Sequence, residues 1–249
     1  MIKSFRLDDY FRENENRRSE FEGQNDVFIG ELAGRDSIAA FKTILDRNAA
    51  AVIIPVSVYI RSEYGNRKIL EKNVGLLRSL INDNAKIREI IELDCADFFD
   101  KVILQTMGAF QNNYPFYSPC PPCHFILHFC RIWLAQFLGI DKIITGERIN
   151  HDGTKKINQS ADLLSFFHDF FLSEYGITLM QPLKLVNDNK KIDEILGNRW
   201  TLKDQQLKCA FSGNYRDSAG EIIINSKQDW PDILRKFYLP KIRKLKKIM

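Results

Sequence analysis

Three groups of residues in this chain have types and spacings that could do chemistry. The first lies where an apolar strand, Val27 to Ile29, runs through a small-residue turn at Ala33 and Gly34 into a helix opened by Arg35, Asp36 and Ser37. A helix start offers unbonded backbone N–H groups at a positive dipole end, an arrangement suited to phosphate. Gly34 lets the backbone approach a ligand closely, Ser37 can donate to a phosphate oxygen, and Arg35 adds charge. Asp36 would cap the helix or anchor the loop. Neither the G-x-G-x-x-G dinucleotide fingerprint nor the G-x-x-x-x-G-K-S/T loop occurs here.

The second group is a C-x-x-C, Cys120 and Cys123, in a proline-rich loop followed by His124. Two thiolates at this spacing can share a metal at a helix start, and the natural third is the distant Cys209. Zinc with His124 or His128 as a fourth ligand is one metal reading. Cys95 and Cys130 sit among apolar neighbours and read as buried small hydrophobes. The third group follows the short strand Lys142 to Thr145: Gly146, Glu147, Arg148, His151, Asp152, Lys155 and Lys156. Glu147, His151 and Asp152 could position Mg2+ or move a proton, and either lysine could neutralise phosphate charge.

The elements that must position these groups alternate between strand and helix. Residues 50 to 59 form a continuous β-branched run suited to a strand buried on both faces, and residues 87 to 93 and 177 to 180 read as further strands. Helical periods occupy residues 70 to 81, 98 to 110, 125 to 138 and 161 to 171. The phenylalanines at 166, 167, 170 and 171 around His168 read as a core helix face. Such alternation implies an α/β fold, Rossmann-like, with a mainly parallel sheet flanked by helices. Ligands in these folds sit beyond the carboxyl ends of the strands. The opening loop, residues 59 to 61, the segment after Leu93 and Gly146-Glu147 are therefore expected to converge on one crevice. Three parts are expected: an N-terminal helical arm (1–25), an α/β domain (26–232) and a basic C-terminal helix or tail (233–249).

The chain has 249 residues, 27% of them charged, with a net charge of +4. Seven bases between residues 233 and 249 (Arg235, Lys236, Lys241, Arg243, Lys244, Lys246, Lys247) face no acid, and the rest of the chain is net acidic. The basic end points to a polyanionic partner. Five cysteines form no disulfide scaffold at this length, and neither a secretory leader nor a spanning stretch is evident, so a cytoplasmic location is expected.

The run Leu32-Ala33-Gly34-Arg35-Asp36-Ser37 resembles the Ser-Gly-Gly-x-Asp-Ser loop of the PP-loop ATP pyrophosphatases, with Leu32 and Ala33 in place of the first Ser and Gly. The resemblance implies a HUP-type fold that binds ATP with Mg2+ on Leu32, Ala33, Gly34, Arg35, Asp36 and Ser37, adenylates a substrate and releases pyrophosphate. A C-x-x-C with one distant cysteine is similar to the subset that thiolates tRNA. That likeness implies a [4Fe-4S] cluster on Cys120, Cys123 and Cys209, ATP contacts from Gly146, Glu147 and Arg131, and catalytic roles for Asp36, Ser37 and Asp152. The tRNA would engage the basic C-terminal segment. Two alternatives stand beside this reading. One is nitrogen incorporation into a small deazapurine-like acid with structural Zn2+, as in the 7-cyano-7-deazaguanine synthases. The other is an ATP- or AMP-binding module without turnover.

Overall fold

The β-branched run around Ile53 is the strand on which the sheet is assembled, because its side chains need cover on both faces. In the computed structural model, residues 3–114, 116–200, 206–223 and 229–246 are described. In chain order the elements are β1 (Lys3–Arg6), α1 (Leu7–Glu13), β2 (Val27–Glu31), α2 (Arg35–Arg47), β3 (Val52–Tyr59), β4 (Glu63–Tyr64), α3 (Lys68–Ser79), β5 (Ile91–Asp94), α4 (Ala96–Phe99), α5 (Met107–Asn113) and α6 (Cys120–Leu138). They continue with β6 (Lys142–Ile144), α7 (Ala161–Tyr175), β7 (Thr178–Met180), α8 (Asn189–Ile195), β8 (Lys208–Cys209), α9 (Trp230–Ile233) and α10 (Leu239–Lys246). Among the described residues no helix is long and apolar enough to cross a membrane.

Six strands form one parallel sheet in the order β1-β5-β3-β2-β6-β7. The expected α/β architecture with helices on both faces is therefore the observed one. From β2 the chain steps outward to β3 and β5, then returns across the sheet to β6. The strand order thus reverses between β2 and β6, where open α/β sheets leave a crevice for ligand. Register places Gly30 of β2 beside Ile144 of β6, so the loops following both strands leave side by side. A separate antiparallel pair, β4 with β8, sets Glu63 opposite Cys209.

Two apolar layers hold the sheet. On one face α2 and α3 pack through Ile38, Phe41, Leu70, Val74 and Leu77. Gly30 is required there: a Cβ would lie 2.5 Å from the Phe41 ring. On the other face α6 and α7 build an aromatic cluster in which Phe125 contacts Phe166, Phe167, Phe170 and Phe171 at ring separations of 5.4 to 5.9 Å. These rings are core, as their helical spacing suggests.

Both chain ends are joined to this domain more closely than their charge implies. Residues 3–6 form the edge strand β1 beside β5, and Leu7, Tyr10 and Phe21 are buried in the core. The strand has no sequence signal because its four residues, Lys3-Ser4-Phe5-Arg6, include a single apolar side chain. At the other end, residues 230–246 form a bent helix with a π-turn at Leu234–Tyr238, burying Trp230, Ile233, Leu234, Tyr238, Leu239 and Ile242. Its bases occupy the outer face, where Arg243 pairs with Glu174 and Lys236 with Asp232, each at 2.9 Å. The helical stretch expected over 98–110 is likewise broken by a π-turn, at Asp100–Leu104.

Candidate nucleotide and thiol sites

The switch point opens into a cavity of about 640 Å³ lined by Ala33, Gly34, Arg35, Asp36 and Ser37 from the loop and the first turn of α2. Gly146, Glu147, His151 and Lys156 from the segment after β6 complete its inner wall. The α2 N-terminus carries no side-chain cap, so its leading amides are left for solvent or a ligand. Two glycines set the close approaches. A Cβ on Gly34 would come within 2.9 Å of the Gln206 side chain, and one on Gly146 would lie 2.5 Å from the Ser37 amide nitrogen. The second contact is with backbone, so the loop after β6 nests on the loop after β2 only because residue 146 lacks a side chain.

Asp36 is tied down by cations rather than capping its helix. Its carboxylate accepts from Arg148 Nε at 2.9 Å and lies 3.4 Å from both His151 Nδ1 and Arg35 Nε. Burial by itself would raise its pKa. The His151 hydrogen bond and the charges of Arg148 and Arg35 outweigh burial and bring it to about 2. Arg148 is fully buried and also donates to the Val186 carbonyl at 3.2 Å and to Asn189 Oδ1 at 2.6 Å. It had the local signal of a base two residues past a Gly-ended strand, yet its role emerges only from the partners that the fold assembles. Lys156 stands in the same wall, and burial lowers its pKa first, with Arg148 and Arg35 adding to the effect.

Glu147 is a buried member of this wall. Its Oε1 accepts from His124 Nδ1 at 2.9 Å and His128 Nε2 at 3.2 Å, and its Oε2 from Thr145 Oγ1 at 3.1 Å. Burial opposes its ionisation, but the charge of His128 and the two histidine hydrogen bonds hold its pKa well below the usual carboxylate range.

Three expected nucleotide-site residues lie elsewhere. Leu32 is a core residue, its side chain buried beneath α2 and its amide bonded to the Val56 carbonyl at 2.9 Å. Arg131, on α6, is buried with Nη1 3.3 Å from Glu31, and only Glu31 of the two lines the cavity. Asp152 points away from the cavity: it adopts φ +51° and accepts from the Asn189 amide at 2.7 Å, fastening the start of α8. Trp200, Gln206 and Asp193 line the outer wall and carry no local sequence signal.

The expected single crevice is two. Tyr59, Arg61, Asp94 and Cys95 line a separate cavity of about 310 Å³ near β1, and Arg61 is held by Asp97 at 2.8 Å and by Asp100.

Cys120, Cys123 and Cys209 line one cavity of about 230 Å³ together with Glu63, Phe211 and Tyr215. Cys120 and Cys123 come from the first turn of α6, and Cys209 is brought across by the β4–β8 pair. Burial pushes the Cys120 thiol up to about 11, and burial followed by the neighbouring Cys120 and Cys209 raises Cys123 well above the ordinary thiol range. Burial likewise lifts Glu63, to about 7. Cys95 and Cys130 are buried against each other. His124, Lys156 and Gln159 line both the thiol cavity and the nucleotide-sized one, so the two share a wall.

This doubly wound sheet, with an anion-type loop at its switch point, is the fold of the PP-loop ATP pyrophosphatases. The crystal structure of a 4-thiouridine synthetase–RNA complex with bound ATP matches it with a TM-score of 0.60 at 17% identity, over 91% of this chain and 54% of that one. The chain thus spans about half the length of that synthetase. The U34-tRNA thiolase NcsA from Methanococcus maripaludis, solved with its [4Fe-4S] cluster, aligns more loosely, with a TM-score of 0.46 at 13% identity over 97% of this chain and 79% of that one. No family model matches the chain. The uncharacterized protein MJ0009 of Methanocaldococcus jannaschii is 33% identical over 219 residues, 86% of this chain and 78% of that protein. The chain belongs to the family of that protein.

Proposed function

We propose that this chain uses ATP to adenylate an oxygen-bearing nucleobase of tRNA, releasing pyrophosphate, and exchanges the activated oxygen for sulfur. The observation that carries this reading is the wall of His124, Lys156 and Gln159 common to the anion-type cavity and the three-thiol cavity. The ATP and RNA of the structurally similar synthetase support it.

In this reading the ATP phosphates lie on the leading amides of α2, with the Ser37 hydroxyl donating and Arg35 and Lys156 offsetting their charge. Mg2+ would accompany the triphosphate. The base oxygen attacks the α-phosphorus, the bond to the bridging oxygen breaks, and pyrophosphate departs with that electron pair. A sulfide-level donor then adds at the activated carbon, and AMP leaves with the C–O pair. Asp36, held by Arg148, acts as a positioning residue that fixes the loop.

The thiols fit a cluster better than they fit one zinc ion. Tetrahedral zinc at about 2.3 Å per sulfur requires sulfurs about 3.8 Å apart. Among the described residues the three cysteine sulfurs are not within 4.8 Å of one another. A cluster carries its ligands on separate irons and tolerates wider spacing. The raised pKa values of Cys120 and Cys123 also make those two thiols poor free nucleophiles at neutral pH, whereas a bound metal would deprotonate them. When bound, such a cluster would be held by Cys120, Cys123 and Cys209 and would supply an iron position free to hold sulfur.

The test is pyrophosphate release from ATP by the anaerobically purified chain, with and without total tRNA, alongside iron analysis. Pyrophosphate dependent on tRNA, thiolated nucleoside and about four irons per chain support the reading. ATP binding without tRNA-dependent pyrophosphate would leave a nucleotide-binding module instead.

A further inference from the structure

Independently of that reading, we propose that His124, His128 and Glu147 form a binding site for a divalent transition-metal ion, Zn2+ by donor type. Two histidines four apart on α6 share one helix face, and Glu147, three residues past the end of β6, is directed between them. Their ligand atoms all lie within 4.8 Å of one another, the one trio of His, Cys, Asp and Glu among the described residues that does so. The individual separations fit a metal shell. Zinc bonds of 2.0–2.1 Å in a tetrahedron imply ligand–ligand edges of about 3.3 Å. Glu147 Oε1 stands 2.9 Å from His124 Nδ1 and 3.2 Å from His128 Nε2. Opening the first edge by a few tenths of an ångström would admit the ion.

The surroundings are arranged as support for a ligand. Thr145 Oγ1 at 3.1 Å and Gln181 Nε2 at 3.3 Å occupy only Oε2 of Glu147, which fixes the carboxylate while Oε1 faces the histidines. His128 is walled by the Phe167 and Phe171 rings at 5.1 and 5.8 Å, which restrict its rotation. Two imidazoles and a carboxylate leave one position open, the pattern of a catalytic rather than a structural zinc. That position faces the 640 Å³ cavity, which His124 and Glu147 both line. A phosphate or substrate oxygen there would complete the shell. This site is chemically distinct from the thiol cavity, being nitrogen and oxygen only.

The site can be tested without turnover by titrating the metal-free full-length chain with Co2+, after iron removal and with the accessible thiols alkylated. The expected result is one equivalent bound with visible d–d bands and no thiolate charge-transfer band. Affinity should fall at least 100-fold in Glu147→Gln and His128→Gln. Because those residues are buried, His124→Gln at the cavity rim serves as the variant least prone to misfold, and thermal unfolding in chelator checks all three. Cobalt bands of sulfur type alone, no binding, or unchanged affinity in His124→Gln would overturn the proposal. ATP and tRNA are absent throughout, so the result is separable from the fate of the proposed sulfur transfer.

Discussion

Replacing Asp36 by Asn probes whether the loop is held by the ion cluster behind it. The carboxylate is depressed from the ordinary 3.8 to about 2. A depression of that size corresponds to roughly 2–3 kcal/mol of stability. The sign follows from the direction: a carboxylate with a lowered folded pKa stabilises above its unfolded value and loses that contribution as pH falls from about 4 through 2. At pH 7 the Asn variant also leaves the fully buried Arg148 without its anionic partner, a situation that typically costs about 3–5 kcal/mol. Arg148 keeps its bonds to Val186 and Asn189, and the Asp36 side chain is 21% exposed, so about 2–4 kcal/mol is expected. Urea unfolding followed by tryptophan fluorescence, repeated from pH 7 to pH 2.5, measures both the loss and the flattened acid limb. The double variant Asp36→Asn/Arg148→Met should lose less than the sum of its parts by about 2 kcal/mol. A single variant within about 0.5 kcal/mol of wild type, with an unchanged acid limb, would refute the positioning role assigned to Asp36.

Gly146→Ala drives a methyl onto the Ser37 amide and should weaken ATP binding at least tenfold by calorimetry, while costing about 1–3 kcal/mol of stability. Gly30→Ala meets the Phe41 ring in the core and should lower stability similarly with ATP affinity little changed per folded molecule, separable by the same pair of measurements. Serine at Cys120, Cys123 or Cys209 should abolish iron retention but preserve ATP affinity, whereas Cys95→Ser should leave iron content intact. For RNA, deleting the chain from Trp230 onward should unfold it, because that segment is core; exchanging the exposed Lys244 and Arg243 for Gln instead should reduce the salt slope of tRNA binding by about 1–2.

The sheet was legible because buried parallel strands announce themselves: five of the eight residues from 52 to 59 are β-branched. Edge strand β1 and the two-residue pair β4–β8 were not, since so short or half-polar a segment carries no period. The anion loop and the three cysteines could be named from local wording, and the fold gathers Ala33 to Ser37 in one cavity and the thiols in another. What local wording could not give is the direction of a side chain. Leu32 and Arg131 occupy motif positions but turn into the core, and Asp152 turns to α8. The spacing of His124 and His128 was visible in the chain, but its significance depends on Glu147, which only the return of the chain to β6 brings beneath them.

Helix α6 carries Cys120 and Cys123 on its first turn, His124 and His128 beside Glu147, and Arg131 against Glu31. It is held in place by the phenylalanines of α7. A one-ångström slide of this rod would displace all of these groups together, by the same amount and in the same direction. Substitutions at Phe125 or Phe171 should therefore produce correlated defects in thiol geometry and in the carboxylate–histidine trio. Neither proposed site can then be retuned through α6 without disturbing the other, and independent adjustment is left to the loops after β2 and β6.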